Sequence, residues 1–386
     1  MAAPTDRTRA SPAEDAPTLR AMAELERRRQ AGEPILPVRI TPHYRALVEA
    51  EVAALGRTGG PLHSVVYPRA DRFKRVARGE HVNFADDFGH MPPGLERVLV
   101  HRYPGKVLYF PTDHCAGHCQ FCLRPDVTGA SPTLKHGQGN LDDDVLDRVV
   151  DYLRSQPRVR EVIFSGGDPL VCPPGRLRHA VEHIMSVPTV RWCRFHSRAP
   201  IYDPKRLSDQ VIELLAEWNI RFVLHVVHPY ELCEAASDRL RLLRRAGVPA
   251  YNQFPLLRGI NDHPAVLLEL SYACAELGIQ MLSLFTADPI RYGATYRVRL
   301  ERAFDIVDRV FLRGESWAAN FRMCIDTPHG KVRREHIVRH EPSEDRYVFQ
   351  REGREITYYD IPTGFDQPTP LETLMWRGAR FVELEK

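Results

Sequence analysis

The feature that most restricts what this chain can fold into is an alternation running through its middle. Short runs rich in β-branched and aromatic residues occur at Val107–Phe110, Val162–Phe164, Trp192–Phe195, Phe222–Val227, Ala250–Phe254, Met281–Phe285 and Phe321–Ile325. Between them, Asp142–Arg154, Arg176–Met185, Ser208–Glu217, Ser237–Ala246, Pro264–Leu277 and Leu300–Phe311 space their apolar residues at helical intervals. Strand and helix in turn, repeating at roughly thirty residues, predict parallel strands joined by right-handed crossovers. Polar residues or glycines stand at or just past the C-terminal end of nearly every run: Cys115, Ser165-Gly166-Gly167-Asp168, His196, His228, Gln253, Asp288 and Asp326. In a (β/α) barrel those ends share the face where loops build a site, so the pattern favours a barrel over an open sheet.

The flanks read differently. Residues 1–34 are rich in Ala, Arg, Glu and Pro and are expected to form a flexible leader, with a solvated helix over Leu19–Gln30. Residues 35–99 are expected to be a cap or collar containing a helix at Pro42–Leu55, and residues 100–330 the barrel core. Residues 331–386 are read as an accessory segment with a hairpin of Tyr347–Gln350 and Glu355–Tyr359 around Glu352-Gly353. Basic and acidic residues, 53 and 50, nearly cancel to +3, which leaves no broad cationic field for nucleic acid. No apolar run of about 18 residues and no apolar signal core occur, so a cytoplasmic protein without a membrane partner is expected. Eight cysteines in such a chain are read as thiols and ligands, not as a disulfide framework.

Cys115, Cys119 and Cys122 form C-x3-C-x2-C on the loop after the first run. Three thiolates hold three irons of a [4Fe–4S] cluster and leave the fourth open to a substrate, whereas closed electron-transfer clusters usually take four cysteines. By spacing alone a zinc site also fits, with His114 or His118 as the fourth ligand. The neighbourhood, with Phe121 directly before the third cysteine, resembles the radical S-adenosylmethionine (SAM) signature. That resemblance implies that SAM chelates the open iron and is cleaved by one electron to a 5′-deoxyadenosyl radical. Ser165, Gly166, Gly167 and Asp168 resemble the family's glycine-rich motif that hydrogen-bonds the SAM amino group; by itself a Gly-Gly turn is ordinary.

From about Ile40 to Tyr359 the chain resembles lysine 2,3-aminomutases. The matching pieces are His101-Arg102-Tyr103-Pro104, Cys122-Leu123-Arg124, Ser165–Pro169, His225–Pro229, Asn252-Gln253, Leu257–Asp262, Asp288 and Asp326–Lys331. The resemblance implies a partial (β/α)6-type radical SAM barrel of the α/β class, with an N-terminal helical extension and a small C-terminal accessory segment. It implies an isomerase using the cluster, SAM and pyridoxal 5′-phosphate (PLP). Lys331 would be the Schiff-base lysine, although its turn is shorter and less glycine-rich than is usual. Arg102 and Gln253 would approach the PLP phosphate, and Lys106 stands where a second arginine is usual, offering a point charge instead of a guanidinium fork. Arg124 would grip the substrate carboxylate, and Asp288 with Asp326 the cationic end of its side chain. His225 and His228 match a strand end that lines the SAM pocket; buried, hydrogen-bonded histidines are the plainer alternative.

The expected substrate is a free cationic amino acid, L-lysine first and arginine second, with an electron donor of flavodoxin or ferredoxin type and a homo-oligomeric assembly. No cysteine follows Cys324, so the C-terminal zinc site of some relatives is not expected; Cys172, Cys193, Cys233, Cys274 and Cys324 are read as packing residues. A radical SAM enzyme without PLP and a zinc-binding structural protein are the competing classes.

Overall fold

The computed structural model describes residues 13–128, apart from 83 and 85, and residues 140–384. Three helices open it: α1 (Ala16–Gln30), α2 (Pro42–Leu55) and α3 (Pro61–Val66). The barrel wall then runs β1 (Leu99–Tyr103), β2 (Lys106–Thr112), α4 (Asp143–Ser155), β3 (Glu161–Gly166), α5 (Pro174–Met185), β4 (Trp192–Ser197), α6 (Ala199–Tyr202) and α7 (Asp209–Glu217). It continues through β5 (Arg221–Leu224), α8 (Glu234–Arg245), β6 (Ala250–Leu256), α9 (Pro264–Glu276), β7 (Ile279–Thr286), α10 (Leu300–Arg313) and β8 (Arg322–Cys324). A separate sheet of β9 (Ile337–Glu341), β10 (Arg346–Arg351) and β11 (Arg354–Tyr359) follows, and α11 (Leu371–Leu374) comes last. No helix among the described residues is long and apolar enough to cross a membrane.

The large sheet has eight strands in sequence order, with β1 antiparallel to β2 and every later neighbour parallel. Register explains what each face carries. Tyr109, Phe164, Phe195 and Phe222 are paired in turn across β2 to β5, all fully buried. Their rings stack or meet edge-on, Phe164 lying 4.4 Å from Phe195 and 5.2 Å from Tyr109. Burying each such ring stabilises the fold by roughly 2–3 kcal/mol. Because side chains alternate, this apolar row faces the helices, and the next residue along each strand turns inward: Ser165, His196 and Val223 all line the central cavity. Each crossover helix seats an apolar stripe on the outer row, as α4 does with Leu146, Val149, Val150 and Leu153. Among the described residues no ladder joins β1 to β8; Arg102 of β1 instead donates to the Thr327 carbonyl just beyond β8.

The expected strands and helices of the core coincide with observed elements, and the partial barrel is the fold found. Two strands were not expected. β9 is mostly exposed and charged, so it has no apolar alternation to read, and β1 falls in a stretch read only as a motif. The leader reading needs correction. The expected helix forms, but it is docked: Leu25 is buried with Ile35 and Tyr292, and the Arg28 guanidinium lies 4.6 Å from the Tyr292 ring centre. A few well-placed apolar residues suffice where a neighbouring surface receives them; residues 1–12 of the leader lie outside the described residues.

Candidate active site

The C-terminal ends of the parallel strands enclose a cavity of about 230 Å3. Its walls include Cys115, Cys119, Cys122, Arg124, Ser165, Gly166, Gly167, Asp168, His225, Gln253, Asp288 and Asp326, drawn from positions 115 to 326 of the chain. Lys331, Arg102 and Lys106 stand outside this wall, next to it.

The cysteine loop leaves β2 and is pinned from the cap. His118 N–H donates to the Arg39 carbonyl at 2.9 Å and Gln120 N–H to that of Val65 at 2.8 Å. The His118 ring bonds the Pro37 carbonyl through Nδ1 at 2.9 Å, and the His114 ring pairs with Asp113. Burial and the neighbouring acids push the Cys115 thiol well up, and burial pushes Cys122 to about 12. Metal-free, these are neutral thiols, and only a bound cation would hold them as thiolates. Among the described residues no three His, Cys, Asp or Glu side chains converge closely enough for one metal ion.

The glycine motif acts first on this loop. A Cβ on Gly167 would lie 2.2 Å from the His114 carbonyl oxygen, and one on Gly166 (φ +92°) 2.8 Å from that of Thr112. Both glycines therefore let the end of β3 nest against the cysteine loop, fastened by Gly167 N–H to Thr112 (2.9 Å) and Asp168 N–H to His114 (2.7 Å). Asp168 is buried with both oxygens occupied. Oδ1 accepts from Leu170 N–H (3.0 Å) and Ser197 Oγ (2.8 Å), and Oδ2 from Arg198 N–H (2.8 Å) and Ala199 N–H (2.7 Å). It braces β3 to β4, a positioning part where a direct cofactor contact was expected.

A second brace was not read from the sequence. Arg198 pairs with buried Glu231, which also accepts from Tyr44 of α2 at 2.6 Å. Arg198 reaches the His225 carbonyl at 2.6 Å, and Tyr202 of α6 lies 3.0 Å from Cys119 Sγ. Arg198 and Tyr202 both line the cavity. Members of this brace lie up to 187 residues apart, and no motif in the sequence marked them.

On the far wall the charges are less well matched. Asp288 is half-buried, and desolvation first and the Asp326 charge second push its carboxyl up to about 8. Arg124 reaches the cavity, but its Nε is bound by Asp87 of the cap, at 2.5 Å with the aspartate almost fully buried. Nothing in the sequence marked Asp87. Of the two histidines, His225 faces the cavity and burial holds its ring down to about 3. His228 points away, bonding the Leu374 carbonyl at 3.1 Å and Tyr230 N–H at 3.2 Å; for it the plain hydrogen-bonded reading holds.

Lys331 closes a short loop beyond β8. Ile325 and Val332 exchange two 2.9 Å backbone hydrogen bonds, and Gly330 (φ +109°) makes the turn between them. The Lys331 ammonium lies 4.6 Å from the ring centre of Phe285, a cavity-lining residue. Lys106, on the inner face of β2, is held below its ordinary value by burial, then by the charges of Arg194 and Lys331. Lys106 also sits 4.9 Å over the Tyr103 ring. Arg102 is spent in part on the Thr327 carbonyl.

The radical SAM superfamily model matches residues 109–271, from β2 through most of α9. Among solved structures, a radical SAM methyltransferase from Sphaerobacter thermophilus aligns with a TM-score of 0.41 at 15% identity, over 59% of this chain and 67% of that one. A putative L-lysine 2,3-aminomutase from Aquifex aeolicus is 26% identical over 88% of this chain and 86% of its own length. The L-lysine 2,3-aminomutase of Clostridium subterminale is 27% identical over 86% of this chain and 76% of its own. With that likeness extending through the cap and past β8, the chain carries a radical SAM domain and is similar to L-lysine 2,3-aminomutases over most of its length.

Proposed function

We propose that this chain is a PLP-dependent 2,3-aminomutase that converts a cationic L-α-amino acid, L-lysine first, to its β-isomer. The family works with a [4Fe–4S] cluster, SAM and PLP. When bound, cluster and SAM supply one-electron hydrogen abstraction, and PLP supplies a conjugated carrier for the migrating nitrogen. Cys115, Cys119 and Cys122 would hold the cluster. Ser165, Gly166, Gly167 and His225 border the space left for SAM, with Asp168 keeping that border in place. Lys331 would hold PLP, while Arg102, Lys106 and Gln253 would face its phosphate.

The observation that carries the substrate class is the pair of carboxylates on the far wall. Two acids facing one enclosed space repel, and that repulsion adds to the desolvation that pushes the Asp288 carboxyl up to about 8. A protonated amine between Asp288 and Asp326 removes that repulsion and lets Asp288 give up its proton. Arg124, held by Asp87 through Nε, keeps two terminal nitrogens for a carboxylate, the fork such a group needs. A substrate with a carboxylate at one end and a cation at the other spans these groups and places its α- and β-carbons between them. Enclosure by the strand ends excludes water and limits where a reactive centre can go.

The test is incubation of cluster-reconstituted, reduced enzyme with SAM, PLP and each of lysine, arginine and glutamate, with β-isomers resolved chromatographically. Lysine is expected to give product and glutamate none. Arginine is the second reading, because a guanidinium bridges the same two acids. Product from glutamate alone would overturn the cationic reading. Absence of pyridoxal from the purified enzyme, with iron present, would instead favour a radical SAM reaction without PLP.

A further inference from the structure

Two consecutive inward positions of β4, Arg194 and His196, have no place in the reading above. Each carries a buried nitrogen with no hydrogen-bond partner, Arg194 Nε and His196 Nε2. An orphaned nitrogen in a protein interior costs roughly 1–3 kcal/mol unless a ligand satisfies it. His196 lines the cavity at the end of its strand. Arg194 lies one pleat deeper, paired with Glu161 of β3, 3.1 Å away.

The charge around them is unbalanced. Lys106 on β2 feels both Arg194 and Lys331. The His196 ring is held neutral, well below its ordinary value, by burial and then by Arg194, Arg124, Lys331 and His225. Among the described residues, the charges that act on Lys106 are two cations, Arg194 and Lys331, and one carboxylate, Glu161. Such a wall collects an anion, and toward an anion a neutral imidazole presents its N–H. The inner face of β4 thus brings a guanidinium and an unpartnered ring nitrogen to the side of the cavity on which Lys106 feels Arg194 and Lys331.

We propose that His196 donates from Nε2 to an anionic oxygen of the phosphorylated pyridoxal cofactor, with Arg194 beneath it contributing charge, so that β4 forms part of the cofactor site. This rests on the PLP reading of the preceding section. The experiment titrates PLP into cluster-reconstituted protein without substrate, following the visible absorbance of bound cofactor, in wild type, His196→Ala and His196→Gln. The alanine variant is expected to bind PLP roughly tenfold more weakly, with a shifted absorbance maximum. Glutamine, which keeps a donor at about the same reach, is expected to recover part of the loss, and its thermal unfolding reports whether the barrel is intact. Wild-type affinity and spectrum in both variants would overturn the inference. So would unchanged PLP binding with a raised KM for lysine, which hands the contact to the substrate carboxylate. Wild-type protein that takes up no PLP would instead sink the reading on which the inference rests.

Discussion

The two walls of the cavity are built on different principles. On the cysteine side, around the ends of β2 and β3, the bracing contacts lie within the protein: glycines nest against carbonyls, Asp168 holds four donors, and Arg198, Glu231 and Tyr44 interlock. On the lysine side, from β7 round to β2, charges are crowded but unmatched, with Asp288 against Asp326 and Lys106 near Arg194 and Lys331. The first wall is held by contacts within the protein. The second is left electrostatically open, and ligands of opposite sign would complete it. Rigidity therefore belongs where geometry controls a reactive species, and unmatched charge where binding must be strong and reversible.

The comparison breaks most visibly at Gly167. Gly167→Ala places a Cβ against a backbone oxygen that cannot swing away. It is expected to lower stability by about 3 kcal/mol and to prevent iron retention, read by thermal unfolding and by iron content after reconstitution. Lys331→Ala, on the open wall, is expected to do the reverse. The ammonium rests on a ring face, so stability should change by less than about 1 kcal/mol and iron should be retained, while pyridoxal absorbance and turnover disappear.

Asp288→Asn sharpens the contrast through pH. A carboxyl raised to about 8 is protonated below that value and charged above it, and a cationic substrate binds the charged form. KM for lysine should accordingly fall as pH rises towards about 8 in wild type. It should be raised roughly 10–100-fold and be flat over that range in the variant. Asp87→Asn probes the hinge between cap and open wall, where removal of its charge frees Arg124 to reorient. A rise in KM of about tenfold with kcat within about twofold is expected; an equal loss in kcat would mean that Asp87 does more than aim Arg124.

The smallest effect concerns acid. His225 and His228 are both buried neutral, their rings held down to about 3 by burial. Between that value and their ordinary 6.5 the unfolded chain takes up protons that the native rings refuse. Their contribution is therefore fully present above pH 6.5 and declines as pH falls towards 3, on the order of 1 kcal/mol per ring by pH 5.5. Unfolding midpoints at pH 7.5 and 5.5 would measure it.

Much of the barrel was legible because parallel strands and their crossover helices impose two different periods on the chain. The cysteines and the acids at the strand ends were legible because barrel topology sends those ends to one face. Of the cap, the helix at Pro42–Leu55 was legible but its braces were not, since Asp87 and Tyr44 act through partners 37 and 187 residues away. The docking of the leader helix escaped notice for the same reason, its apolar residues being too few to signal burial without their receiving surface.

What the amino-acid order determined by itself was local: which segments extend or coil, and which chemical groups stand at their ends. Only the tertiary structure decided which of those groups are spent and which remain available. Asp168 is consumed as a brace, His228 turns away, Arg124 is tethered by Asp87, and His196 is left with a bare nitrogen in the cavity. The reason is that hydrogen-bond and charge balance are settled by neighbours in space, and the strand register that selects those neighbours emerges only when the sheet is assembled.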